Sequence, residues 1–149
     1  MAGKTTAWST ALLNLVFNNT NVTTFGDLGG LSGSATAGVF YIDLHTGDPG
    51  EAGSFSTVAS YPSYAPQSLA RSSAAWTISG EFAYVAADTD FPESTAGTQG
   101  SALAYWSVSR SSGSNMIYYG AISPTITMAE GVIPRLKGDR ATETSVGEE

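Results

Sequence analysis

The chain has 149 residues, 42% apolar and 13% charged, with 13 acidic and 6 basic side chains and a formal charge of −7. The length suits one core of ordinary size, and the charged share is about half of the roughly 25% usual in soluble domains, leaving a surface that does not resist burial against a neighbour. The acidic balance speaks against nucleic-acid binding, which needs clustered Lys and Arg, and the absence of cysteine excludes disulfides, thiolate metal sites and cysteine nucleophiles.

Trp8, Leu12, Leu15 and Val16 fall close to i, i+4, i+7 and i+8, with Leu13 and Phe17 widening the stripe, which predicts an amphipathic helix over 5–17. Thr5 or Thr6 supplies a capping hydroxyl, and Asn18 and Asn19 suit the helix end because Asn tolerates the left-handed conformation. Asn14 interrupts this apolar stretch and no small-residue cleavage pattern follows it, so it is read as a helix of the domain and not as a secretory signal. No apolar run approaches the roughly 18 residues of a membrane span.

Five glycines between Gly26 and Gly38 make that stretch a loop or extended arm, placed over 20–38. Val39 to Leu44 is a β-branched and aromatic run, expected as a strand buried on both faces for most of its length and stopped by Gly47-Asp48-Pro49-Gly50. Further strands are predicted at 68–71, 75–79, 82–86, 102–109, 116–121, 126–128 and 142–146, with a hairpin turn at Gly113 and interruptions at Pro92 and Pro124. Alternation is clear in Trp76-Thr77-Ile78-Ser79 and in Trp106-Ser107-Val108-Ser109. One helix followed only by strands predicts a mainly β fold: an antiparallel β-sandwich or jelly-roll-like domain with one N-terminal α-helix. It is expected as a single domain over 1–149, with its β core over 39–135 and an extended, mixed-charge tail over 136–149.

The residues offer few routes to chemistry. His45 is the one histidine; as a side chain between a buried strand and a turn it is read as a hydrogen-bonding group that fixes the turn, with a catalytic base as the alternative. The serines carry no nucleophile-elbow pattern. Asp43, Asp48 and Glu51 form one acidic cluster and Asp88, Asp90 and Glu93 another; both are read as polar turns, with calcium as the alternative. Trp76 and Trp106 are expected in the core. Tyr61 and Tyr64, in the proline-punctuated Tyr61-Pro62-Ser63-Tyr64-Ala65-Pro66, are expected to be exposed contact residues. No catalytic residue, cofactor or metal is assigned.

Leu44-His45-Thr46-Gly47-Asp48-Pro49-Gly50-Glu51-Ala52-Gly53 resembles a family of small tailed-bacteriophage structural proteins, described as tail-fibre-like or minor tail proteins. The resemblance takes in the helix Ala11-Leu12-Leu13-Asn14-Leu15-Val16-Phe17, Tyr64-Ala65, Arg71 before Trp76, Phe91-Pro92, and Gly131-Val132-Ile133-Pro134. Pro66-Gln67 stands where the family's Arg follows Tyr-Ala, and the glycine-rich insert is longer than the family's linker. The resemblance implies a non-enzymatic virion component, made in the host cytoplasm and packed against copies of itself and other virion proteins of the tail or the major capsid protein, with no nucleic acid and no membrane. A capsid decoration or cement protein and a module binding a host-surface glycan are the competing readings. Gly29, Gly30, Leu31, Tyr61, Tyr64, Arg135, Lys137 and Arg140 are the expected assembly contacts, and His45, Asp48, Pro49 and Gly50 the expected turn.

Overall fold

The computed structural model describes residues 4–23, 30–96 and 102–138, and the backbone of 145–147. Helix α1 spans Thr6–Asn18, where Thr5 Oγ1 accepts from the Trp8 N–H at 3.3 Å and Asn19 closes the helix at φ 54°. Its buried positions are Ser9, Leu13 and Phe17, while Trp8 is 38% exposed. The buried face is therefore rotated from the predicted stripe, because at position 9 a small side chain lets the helix lie close on β3 (Trp76–Ser79) and β4 (Phe82–Val85).

The remaining strands are β1 (Val39–His45), β2 (Gln67–Ala70), β5 (Thr89–Asp90), β6 (Leu103–Ser111), β7 (Ser114–Ile126), β8 (Arg135–Leu136) and β9 (Ser145–Gly147). They form a four-stranded sheet in the order β2-β1-β6-β7, a three-stranded sheet β3-β4-β9 and the pair β5-β8, all antiparallel. With one helix, this is a mainly β fold consistent with a β-sandwich.

Opposite pairs Ile42↔Val108 and Leu44↔Trp106 place Phe40, Ile42, Leu44, Trp106 and Val108 on one face of the large sheet. That face meets Leu13 and Phe17 of the helix and Trp76, Ala83 and Val85 of the smaller sheet in one apolar cluster. Phe17 is the hub, with ring centres 4.6 Å from Trp76, 5.4 Å from Phe40 and 5.6 Å from Tyr118. Each such fully buried side chain contributes about 1.5–3 kcal/mol.

Two strand expectations are corrected. Pairing does lapse at Pro124, between Ala121 and Ile126, but β7 is a single run through Ile126, and 126–128 is not a separate strand, although Met128 is buried. β7 lies at the sheet edge, where a missing N–H costs no ladder bond. The register jumps from Tyr105↔Ala121 to Leu103↔Ile126, so Pro124 sits in a bulge. The pair β5-β8 was not expected at all, since both members lie in polar, turn-like sequence.

The glycine-rich stretch is also corrected over its described parts. Val22 and Leu31 bridge through paired 2.8 Å backbone bonds, and Gly33 N–H donates to Asn21 Oδ1 at 2.8 Å. The Asn19 amide holds Ser34 by both its N–H (2.7 Å) and its carbonyl (2.8 Å). Residues 30–38 therefore fold back onto the helix end and do not project as a free arm.

Candidate functional site

The His45 turn is built from short-range hydrogen bonds. Ala59 N–H donates to Leu44 O (2.7 Å) and Thr46 N–H to Thr57 O (2.8 Å), so residues 57–59 line the outer edge of β1 beyond the end of β2. Inside this loop Asp48 Oδ1 accepts from the Gly50 N–H at 2.8 Å, Gly50 adopts φ 65°, and Pro49 is buried. Gly53, at φ 64°, lies where a side chain would stand 3.2 Å from Met116 Cβ, so the loop reaches across the sheet to β7.

His45 is 0% exposed, with Nε2 2.8 Å from Ser107 Oγ and Nδ1 3.4 Å from Thr57 Oγ1. Thr57 spends its proton on Gly47 O at 3.0 Å, which leaves its oxygen to accept. Nδ1 therefore carries the ring proton and Nε2 accepts from Ser107. Burial pushes the imidazole pKa down to about 4. A histidine beside a serine is the geometry of a nucleophile and its base, but both are buried. Asp43, on the same face of β1, hydrogen-bonds Tyr64. The three groups form a buried polar row within the sheet, and Thr57 Oγ1 links His45 to Gly47 O of the turn.

Tyr61 and Tyr64 overturn the expectation of exposed contacts. Tyr61 is 3% exposed, its hydroxyl donates to Pro92 O at 2.9 Å, and burial pushes its pKa up to about 12. The half-buried Tyr64 accepts from the Leu44 N–H at 3.0 Å and donates to Asp43 Oδ1 at 3.1 Å; burial and the adjacent Asp43 raise its pKa. Burial also raises the Asp43 carboxyl. The prolines do mark exposed backbone at Pro62 and Ser63, but the rings on either side turn inward.

The second acidic cluster is an ion-pair ladder joining β5 to β8. Arg135 binds Asp90 with both ends of its fork, Nη2 to Oδ2 at 2.7 Å and Nε to Oδ1, and lies 3.7 Å from Asp88. Asp88 receives the Gly138 N–H and the Lys137 ammonium, each at 3.0 Å. The Gly138 N–H and then Lys137 hold the Asp88 carboxyl below its usual range, and the Arg135 guanidinium holds Asp90 down. Arg135 and Lys137 are thus committed within the chain, and among the described residues no group of three metal-ligating side chains gathers. Gly30, at φ 70°, and Leu31 form the bridge to Val22, and the Leu31 side chain is exposed. Gly29 and Arg140 lie outside the described residues.

What remains at the surface is apolar and weakly charged: Ile117 is 41% exposed and Tyr119 38% on edge strand β7. Sequence reasoning did not single out either residue, although the absence of charge between Arg110 and Glu130 was a visible signal. The described polar side chains around His45 are buried and hold a turn, and the outer edge of β7 is uncharged. Residues 3–142 match the family described as podophage GP4 fiber I protein gp80. The chain belongs to that family of phage fibre proteins. No curated protein matches it.

Proposed function

We propose that the protein is a non-enzymatic structural component of a tailed-phage virion, associated with the tail or its fibres and acting through packing against copies of itself and other virion proteins. The observation that carries this reading is the fibre-family match over 3–142. It is supported by the burial of the His45–Ser107 pair, which leaves that pair closed to a substrate. The glycan-binding alternative rested on Tyr61, Tyr64 and other exposed aromatics and loses the support of the first two, whose rings turn inward. Gold-labelled antibody against the protein on purified particles tests the position. Label at the tail or its fibres supports the proposal; label over the head favours a capsid decoration protein; absence from particles overturns both.

A further inference from the structure

Among the described residues no strand pairs with the outer side of β7, although β9 comes near it without entering its sheet. An open edge presents unpaired N–H and C=O groups, and proteins that remain single normally guard it with charge, proline or bulges. β7 carries two such guards, a bulge at Ile117 and the irregular, Pro124-containing 122–125, and they leave between them a regular stretch, Tyr118–Ala121. That stretch has no guarding charge, and none lies between Arg110 and Glu130.

We propose, on the basis of the packing function above, that β7 is the surface on which a second copy of this chain adds its own β7, antiparallel, about a two-fold axis at Gly120. The charge and the shape of this stretch suit a second copy. Each chain carries −7, so two copies approach closely only along an uncharged line, and Tyr118–Ala121 is one. A two-fold axis joining edge to edge stands perpendicular to the sheet, so opposing residues share a face and their numbers sum to an even value. With the axis at Gly120, exposed Tyr119 lies opposite the small, exposed Ala121 of the other copy, and Gly120 faces itself. Bulky therefore meets small on the exposed face. Gly120 has no side chain to interfere, the space above its Cα being filled by Trp106, whose Nε1 would stand 3.0 Å from a Cβ.

Light scattering on the purified full chain should give a mass at a multiple of 15.4 kDa. Tyr119→Lys, at an exposed position, should weaken association at least tenfold with unchanged circular dichroism. Because the chain has no cysteine, chains carrying Tyr119→Cys and differently tagged chains carrying Ala121→Cys can be mixed under oxidation, and they should form mixed disulfide-linked pairs in preference to like pairs. The cysteine arm decides the matter if the lysine variant does not fold. A wild-type mass of 15.4 kDa at every concentration, a Tyr119→Lys variant that folds and associates normally, or no preference for mixed pairs overturns the proposal. A single-chain mass together with label at the tail overturns the pairing alone, whereas absence from particles overturns the packing function.

Discussion

Arg71 is bound to Val16 through a 2.7 Å bond from its Nε to the carbonyl oxygen near the end of α1, and Nη2 adds a second bond to Leu15 O at 2.9 Å. Nη1 reaches Ala37 O at 3.1 Å, so one guanidinium fastens helix, folded-back loop and β2 together. Its charge also complements the negative end of the helix dipole. Arg71→Ala should cost about 2–3 kcal/mol, since hydrogen bonds to a charged group contribute roughly 1.5–3. Arg71→Lys should recover only part of this because an ammonium cannot reproduce the fork. Urea unfolding of the three proteins measures it, and a Lys variant as stable as wild type would contradict the forked geometry.

His45 makes stability depend on pH in a stated window. Its folded pKa of about 4 lies below the unfolded value of about 6.5, so the unfolded chain binds the proton more readily. The contribution is complete above pH 6.5 and is lost as pH falls from there towards 4. Protonation would put a hydrogen on Nε2 where it accepts from Ser107. Melting temperature followed from pH 7.5 to 4 should decline less steeply for His45→Gln than for wild type.

Asp43 acts in the opposite sense. Its folded pKa is raised by burial, so ionising it disfavours the fold, and stability falls as pH rises from about 3.8 through the folded value. Asp43→Asn keeps an oxygen to accept from Tyr64 and removes the charge. At pH 8, where ionising Asp43 disfavours the fold, the variant should melt higher than wild type. Calorimetry at pH 8 checks it; a loss of stability there would show that the ionised carboxylate is needed.

Gly120→Ala tests the approach of Trp106 to β7. The new methyl would stand 3.0 Å from the indole nitrogen, and displacing a large core ring costs typically 1–3 kcal/mol. The gain from replacing a strand glycine, roughly 0.5–1 kcal/mol, offsets part of this. The net expectation is a loss of about 1 kcal/mol with altered tryptophan fluorescence, and an unchanged spectrum with raised stability would contradict it.

The sequence is legible where local chemistry and burial agree. The Trp8–Phe17 periodicity and the cap at Thr5 locate α1 to within a residue at each end, and the Val39–Leu44 run locates β1. It misleads where a partner distant in the chain decides. Asp88 and Asp90 read as a turn because Arg135 and Lys137, 45 or more residues away, are what make that segment a strand pair. Tyr61 and Tyr64 read as exposed because Pro92 O, which accepts from the Tyr61 hydroxyl, and the Leu44 N–H, which donates to that of Tyr64, come from other parts of the fold. Pro124 reads as a break, and the pairing with β6 does lapse there, but that β7 continues beyond it along a sheet edge is decided by the strand order. His45 reads as a hydrogen-bonding group beside the turn, while Ser107, the partner of its Nε2 at 2.8 Å, carries no distinguishing signal in the sequence.

The pairing of His45 with Ser107, 62 positions apart, bears on how the chain is made. At roughly 5–20 residues per second of synthesis, β1 exists for roughly 3–12 seconds before the strand that covers its inner edge. During that interval Phe40 and Ile42 have β2, and Leu44 has Ala59, on the outer side of β1, while the inner side has no partner strand. Slower growth at low temperature lengthens this exposure, so the yield of soluble protein should depend on the chaperones present while the chain is still on the ribosome.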